Sequence, residues 1–422
     1  MKSIYLDNSA TTKPSKEVLK KMDEINSRFF GNASSIHSFG QSAREVVDQA
    51  RSDIAKVLNS KPSEIIFTSG GSESDNLAIK GVAEGILKQV QSLSSTRSGD
   101  DNFKPHIITS EIEHHAVLNT VKELEKERKI EATYIAPGKN GVIKAEDVER
   151  AIKPNTILVS IMYVNNEIGT VQPIREIGKL IEKINLQKQE KNKKTHTSYS
   201  VLYAPNSSRI FFHTDAVQAP EYFDLNVDYL HVDLLSLSAH KFYGPKGVGI
   251  LYKRDGVKLK HQIIGGSQEY KLRAGTENVA GIAGMAAALR QVESRKSKVE
   301  SISNLRDRLM TGLLKISESR INGSIEKRLS NNVNISFKNA EGESILMMLD
   351  QAGIAASSGS ACTSGSLEPS HVLTAIGVKP EWSHGSIRLT LGKDTTEEEI
   401  DKVIEVMPGI IKKLRKMSPL KN

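Results

Sequence analysis

Between residues 65 and 252 the chain repeats one unit: a short apolar, β-branched run followed by a segment of helical character. The runs fall at residues 65–68, 107–109, 156–164, 210–214, 234–237 and 248–252, with helical segments between most of them. Strands that are apolar along their length have both faces buried, and a strand–helix rhythm places the helices on those faces. The pattern predicts an α/β fold with a mainly parallel sheet. A helix over residues 43–58 precedes it, with Val46, Val47, Ala50, Ile54, Val57 and Leu58 on one face.

The rhythm changes after about residue 263. A helix near 299–318 carries Ile302, Leu305, Leu309, Leu313 and Ile316. Alternating strands follow around Val333, Ile335 and Phe337 and around Ile387, Leu389 and Leu391. The last helix opens on the capping pair Thr396 and Glu399 and buries Ile400, Val403, Ile404, Met407 and Ile411. The expected division is a large domain over 15–262 and a smaller α+β domain formed by 1–14 and 263–422. Polar stretches without periodicity at 91–105 and 187–208 read as surface insertions in the large domain. No internal repeat is present.

Composition narrows the function. The 422 residues are 38% hydrophobic and 26% charged, as in a soluble globular protein, and no segment has the unbroken apolar length of a membrane span. The opening, Met1 to Asp7, lacks the apolar stretch of a signal peptide. A single cysteine excludes an intramolecular disulfide and any cysteine-based zinc site, so a reducing, cytoplasmic setting is expected. Net charge is +8, with lysines and arginines gathered at Lys412, Lys413, Arg415, Lys416 and Lys421 and at Lys188, Lys191, Lys193 and Lys194. Without an aromatic-rich basic ribbon these clusters read as solvated surface, or as a docking face for an acidic protein, rather than a nucleic-acid site.

In open α/β sheets ligands bind at the carboxyl ends of the strands, and three such ends carry unusual chemistry. The first strand runs into Ser69-Gly70-Gly71-Ser72-Glu73-Ser74 and then a helix. Two glycines and a helix N-terminus suit an anion such as a phosphate, although a plain helix cap also fits. Another strand ends in His213-Thr214-Asp215, where a carboxylate follows a buried run: an anion awaiting a cation, or a cap. A third ends in Ser238-Ala239-His240-Lys241. A lysine in such a setting can form a Schiff base; alone it also reads as a surface lysine. Together an aldehyde-binding lysine, a carboxylate for a pyridinium nitrogen and a phosphate cup are the parts that hold pyridoxal 5′-phosphate. The lone cysteine, Cys362, lies in Ser357-Ser358-Gly359-Ser360-Ala361-Cys362-Thr363-Ser364-Gly365-Ser366. It reads as an accessible nucleophile on a small-residue arm, or as a chance surface thiol.

With these motifs the chain resembles the cysteine desulfurases of the NifS/IscS type, a branch of the class V aminotransferases with fold type I. The resemblance runs from Tyr5-Leu6-Asp7-Asn8-Ser9-Ala10-Thr11-Thr12 to Gly385-Ser386-Ile387-Arg388-Leu389. It includes Gly31-Asn32-Ala33-Ser34-Ser35, Thr68 to Asn76, Glu113-His114, Asn165-Asn166-Glu167-Ile168-Gly169, His213-Thr214-Asp215, Ser238 to Lys241, Arg273-Ala274-Gly275-Thr276 and the cysteine segment, which has the long group I form.

The resemblance implies a fold type I transferase whose large domain holds a mainly parallel, seven-stranded sheet, and pyridoxal 5′-phosphate as cofactor. It implies that Lys241 carries the cofactor as a Schiff base and moves protons. Asp215 pairs with the pyridinium nitrogen, Gln218 bonds the ring's phenolic oxygen and His114 stacks on the ring, whereas its neighbour His115 has no such part. Gly71, Ser72, Ser238 and His240 cradle the phosphate, and Thr276 reaches the phosphate of the other subunit of a homodimer. Asn165 and Arg388 hold the substrate carboxylate, and Asn165 also contacts the cofactor. The implied reaction removes sulfur from L-cysteine, giving L-alanine and a persulfide on Cys362. That sulfur passes to an iron–sulfur scaffold protein, to tRNA thiolation or to another acceptor, and Cys362 is also a contact for a nascent cluster. No membrane and no direct nucleic-acid partner is expected. A selenocysteine lyase and a plain class V aminotransferase are the alternatives. The chain departs from many relatives at Gly71 and Ser72, where alanine and threonine are common, and at Ala274, where serine is; the hydroxyl at 72 is kept.

Overall fold

The chain lays down β1 (Ile4–Tyr5) and two helices before the strands of its large sheet begin. These are β2 (Ile65–Thr68), β3 (His106–Ser110), β4 (Glu131–Ile135), β5 (Thr156–Ser160), β6 (Phe211–Asp215), β7 (Leu234–Ser238) and β8 (Gly249–Lys253). They are seen in a computed structural model that describes residues 3–94, 103–195, 209–295, 298–358 and 369–417. Their spatial order is β2-β8-β7-β6-β5-β3-β4. The β8 strand is antiparallel to both neighbours, and the other pairs are parallel. The expected mainly parallel, seven-stranded sheet is therefore present.

Alternation along each strand explains why the runs are apolar throughout. Ile108, Val159, Phe212, Leu235 and Ile250 point into one core, and Ile107, Leu158, Phe211, Leu234 and Leu251 into the other. Each face is covered by helices, so no strand position in the middle of the sheet meets water. At about 25 cal/mol per Å2 of apolar area buried, this double coverage is the main favourable contribution to the fold.

The later chain builds a separate antiparallel sheet from β9 (Ser319–Ile321), β10 (Asn332–Phe337) and β12 (Ser386–Thr390), in the order β12-β10-β9. The short β11 (Ile354–Ala355) pairs in parallel with β1, which brings the N-terminus to this unit. Leu309, Val333, Ile335, Ile387, Leu389, Ile400 and Val403 form its core together with Leu6. Its last helix, Glu397–Met417, opens on the expected capping box. Thr396 N–H donates to Glu399 Oε2 at 3.2 Å, and Glu399 N–H donates to Thr396 Oγ1 at 3.3 Å.

Several elements differ from the sequence expectation. The helix Lys16–Arg28 was not anticipated because it buries only Val18 and Ile25, too sparse a pattern to read as a face. The next helix begins at Ser38 rather than residue 43, with the His37 ring accepting from Gly40 N–H as its cap. The edge strand β4 escaped notice because Glu131 to Tyr134 are exposed or half-buried. The run expected over 156–164 is regular strand only to Ser160, and beyond it Ile161 and Tyr163 N–H still donate to the His213 and Asp215 carbonyls of β6 at 3.1 and 2.8 Å. The helix expected over 299–318 spans Val299–Leu313, and Glu318 adopts a left-handed φ of 50°. The polar stretches are partly helical: Gly71–Ser94 and Ile174–Thr195 run into them, because lysine, glutamine and leucine sustain a helix. Residues 95–102 and 196–208 lie outside the described residues. The helix Val279–Arg290, assigned above to the smaller domain, packs Ile282, Met285, Ala286 and Leu289 into the large core. Apart from Ile4 and Leu6, the second core draws on residues from Ile302 onward. No helix among the described residues is long and apolar enough to cross a membrane.

Candidate active site

The carboxyl ends of β2, β6 and β7 open onto a cavity of about 450 Å3, closed on the far side by residues from both ends of the chain. Gly71, Ser72, His114, Asp215, Gln218, Ser238, His240, Lys241 and Arg388 all line it. Nine positions expected from sequence alone thus converge on one space.

The cradle is built by the β2 turn. After Thr68 the chain turns through Ser69 and Gly70 into the helix Gly71–Ser94, whose first N–H groups have no partner within the helix. A Cβ on Gly71 would sit 2.8 Å from Val217 Cγ2, so a side chain there would displace the loop that follows Asp215. Ser238, which ends β7, and His240 just beyond it face the same recess, joined by Thr11, Lys246 and Gly247. His240 Nδ1 meets the Thr11 hydroxyl at 3.1 Å. Burial, aided by Lys241 and Lys246, holds its pKa down to about 4, so the ring is neutral at pH 7. Helix N–H groups, hydroxyls and a lysine around one recess make an anion site of the kind phosphates occupy.

Lys241 follows the strand end on a short 3-10 turn, Ala239–Lys241. Its Nζ donates to the carbonyls of Ser9 at 2.6 Å and Ala10 at 2.8 Å. Gln218 Nε2 donates to the same Ser9 carbonyl at 3.0 Å. The N-terminal segment therefore holds the amine and the amide side by side. Asp215 ends β6 and is 6% exposed. Its Oδ1 accepts from Val217 N–H at 2.9 Å, so it does act as a turn cap, while the rest of the carboxyl faces the cavity. Burial raises its pKa; His114 and Lys241 oppose that rise. His114 caps the helix His115–Lys126, with Nδ1 accepting from Ala116 N–H at 3.1 Å, which leaves Nε2 to carry the ring proton. Burial lowers its pKa.

Arg388 sits on β12, is 1% exposed, and reaches the cavity from the second sheet. One terminal nitrogen donates to Asp7 Oδ1 and the other to the Asn166 carbonyl, each at 2.9 Å. Its Nε is buried with no hydrogen-bond partner. A fixed guanidinium with an unused donor suits a carboxylate.

Three expected residues are not in this constellation. Asn165 is fully buried and absent from the cavity wall. Its Nδ2 donates to the Ile112 carbonyl at 2.8 Å, and its Oδ1 accepts from Glu167 and Ile168 N–H at 2.9 Å each. With both ends of the amide engaged it holds the loop, and Asn166 takes the place at the wall. Thr276 is exposed and lines a different cleft, with Phe30 and Asn32. Cys362 lies outside the described residues. The described residues on either side of it are tied to the cavity. Ser357 and Arg388 exchange backbone hydrogen bonds at 3.1 and 2.7 Å. Ser370 Oγ donates to Glu167 Oε2 at 2.5 Å, and His371 Nε2 donates to the Glu113 carbonyl at 3.0 Å.

Sequence reasoning missed four groups at this wall: Ser9, Asp75, Glu167 and the pair His115 and His371, whose nearest nitrogens are 3.2 Å apart. Glu113, one step behind it, is also buried, and burial pushes its carboxyl up to about 8. Burial likewise pushes Glu167 up to about 7. Asp75 falls on the helix side that turns inward four residues after Gly71; that spacing is the one signal that could have found it.

The sequence profile of the family described as Aminotransferase class-V matches residues 4–187 and 201–403. A cysteine desulfurase IscS of Clostridium botulinum is 47% identical over 423 residues, covering 99% of this chain and 97% of that protein. A cysteine desulfurase IscS of Methanosarcina thermophila is 47% identical over 421 residues, covering 99% and 94%. Among solved structures, a NifS-like protein superposes with a TM-score of 0.78 at 35% identity, covering 98% of this chain and 99% of that one. A structure of SspA in complex with cysteine gives 0.74 at 36% identity, covering 93% and 100%. The chain belongs to the class-V aminotransferase family, among its cysteine desulfurases of the NifS/IscS type.

Proposed function

We propose that this protein uses pyridoxal 5′-phosphate to remove sulfur from L-cysteine, releasing L-alanine and keeping the sulfur on Cys362. The convergence of Lys241, Asp215, His114 and the Gly71 cradle on one cavity, with Arg388 opposite, is the observation that carries this reading. The family is pyridoxal-phosphate-dependent, and the residues here fit that group. An amine suits its aldehyde, a carboxylate its ring nitrogen and a helix N-terminus its phosphate. A Cβ on Gly71 would press on Val217 beside the same space.

When bound, the cofactor supplies an aldehyde for an amine and a sink for the electrons of a broken Cα–H bond. The remaining work falls to the chain. Lys241 holds the amine and then takes and returns the proton at the substrate Cα, a step for which its position beyond β7 gives reach. Asp215 keeps a negative charge at the base of the cavity, where a protonated ring nitrogen needs one. His114, neutral with Nε2–H, flanks the same space and can pass a proton. Arg388 orients the substrate by its carboxylate. The Cys362 thiolate then forms the S–S bond while the substrate C–S bond breaks. The released electron pair returns to the carbon skeleton, which takes up a proton and leaves as alanine. With one cysteine in the chain, the persulfide has no second thiol within the chain to move to, and the acceptor is another molecule.

Replacing Arg388 with lysine is expected to raise KM for L-cysteine by roughly 10- to 100-fold, because a point charge replaces a fixed guanidinium at a charge-assisted contact. Steady-state alanine release at varied L-cysteine measures this; an unchanged KM would remove Arg388 from substrate binding.

The same reading makes the working unit a homodimer. Phe30, Ile36, Phe39 and Ile264 are 71%, 92%, 57% and 84% exposed, apolar side chains that a second copy would cover. Thr276 lines the cleft beside Phe30, so it lies where a partner's site can receive it. Sedimentation of the pure protein is expected to give twice the mass of the chain, and a single-chain mass at micromolar concentration would refute this. A persulfide acceptor such as an iron–sulfur scaffold protein, and a cytoplasmic location that keeps the lone thiol reduced, complete the proposal. Colourless protein that stays colourless with pyridoxal 5′-phosphate and releases no alanine from L-cysteine would overturn it.

A further inference from the structure

The floor of the cavity holds more acid than the proposed chemistry uses. Asp75, on the first turns of the helix Gly71–Ser94, is 1% exposed and lines the cavity beside Asp215. A carboxylate oxygen of Asp75, one of Asp215 and a ring nitrogen of His114 lie within 4.8 Å of one another. Asp75 Oδ1 is buried with no hydrogen-bond partner. The nearest cation candidate is the His213 ring, whose Nε2 is 3.6 Å from that oxygen. His213 is already engaged on both sides, by Ser160 Oγ at 2.8 Å and Ser236 Oγ at 3.0 Å. Burial holds its pKa to about 3, so it brings no charge.

We propose that Asp75 is a positioning residue that stays protonated beneath Asp215, so that the buried acids there present one negative charge and Asp215 carries it. The proposal rests on the cofactor reading above. Two carboxyl groups this close in a dry site cannot both ionise. Asp215 has the basic neighbours: the His114 ring beside it and Lys241 across the cavity both favour its charged form. Asp75 has none; burial and then Asp215 and Glu113 all raise its pKa, against a hydroxyl bond from Ser236. The groups facing the pair are His213 on β6, Ser236 and Lys241 at the β7 end, and Glu113 and His114 at the β3 end. A single proton on Asp75 therefore concentrates the negative charge on the group that faces a ring nitrogen.

Two variants of the cofactor-loaded protein test this. In Asp75→Asn a neutral amide replaces a neutral acid of the same shape. The pH midpoint of the lysine-bound cofactor's absorbance should stay within about half a unit of the parent's. The infrared difference between parent and D75N at pH 7 should show loss of a protonated-carboxyl stretch. In Asp75→Ala the polar wall is lost, and cofactor affinity, read by equilibrium dialysis, should fall about tenfold while D75N retains it. If Asp75 is ionised, D75N removes a negative charge: the midpoint drops by more than about one unit and the infrared difference shows a carboxylate band instead, which overturns the proposal. Equal cofactor affinity in the D75A variant and the parent also overturns it. None of these readouts uses L-cysteine. Failure of desulfurase activity with a normal cofactor band would strike the functional reading and leave the protonation result standing.

Discussion

Lys241→Ala is expected to lower alanine release from L-cysteine by about ten-thousand-fold, the upper range for loss of a positioned proton-transfer group. The same variant should bind pyridoxal 5′-phosphate through the cradle and Asp215 yet lack the absorbance of a lysine-bound cofactor. Both effects follow from one position. The amine stands beyond β7, held by the carbonyls of Ser9 and Ala10, and no other lysine among the described residues lines the main cavity. Lys246 faces the adjoining anion recess and cannot replace it there. Lys241→Arg should be nearly as inactive, because a guanidinium stays protonated at any pH the protein survives. Stability should change little in either variant, since the side chain is only part-buried. Absorbance spectra and an alanine assay on the same sample separate the two effects; a variant that keeps the lysine-bound spectrum would show that another amine carries the cofactor.

Cys362→Ala is expected to lower alanine release from L-cysteine by about a thousandfold, as for removal of a covalent nucleophile, and to leave no protein-bound sulfur at all. The cofactor spectrum should be unchanged, because Lys241, Asp215 and the cradle are untouched. The contrast with Lys241→Ala is therefore diagnostic: one variant loses the lysine-bound absorbance and the chemistry, the other keeps that absorbance and loses sulfur transfer. Transamination of an amino acid without sulfur should be indifferent to the change. Full alanine release by Cys362→Ala would favour a lyase mechanism that cleaves the C–S bond without a persulfide on the protein.

What the sequence disclosed depended on how local each constraint was. The central strands were legible because both faces of a parallel sheet are buried, so Leu158 and Val159, or Phe211 and Phe212, are all apolar although they enter different cores. The edge strand β4 has one face open to water and lost that signature. Asp215 and Lys241 stood out because each follows a buried strand, where an ionisable group is costly without a purpose. Asp75 did not, because an aspartate in the first turns of a helix is ordinary, and its burial depends on the approach of β6 from much later in the chain. Asn165 shows the opposite case. Its motif drew attention, but the fold uses the amide to pin residues 112, 167 and 168, and the backbone turns Asn166 to the wall. The Arg388–Asp7 pair joins β12 to the first residues of the chain, a contact that no local pattern encodes.

The account turns on where the sulfur goes. The direct measurement is to mix cofactor-loaded protein with L-cysteine in the absence of acceptor, alkylate, digest, and weigh the peptide that contains Cys362 while assaying alanine in the same sample. The account predicts one added sulfur atom on that peptide and one alanine per active site. Alanine formed with the peptide mass unchanged, or sulfur released as sulfide without passing through Cys362, would contradict it.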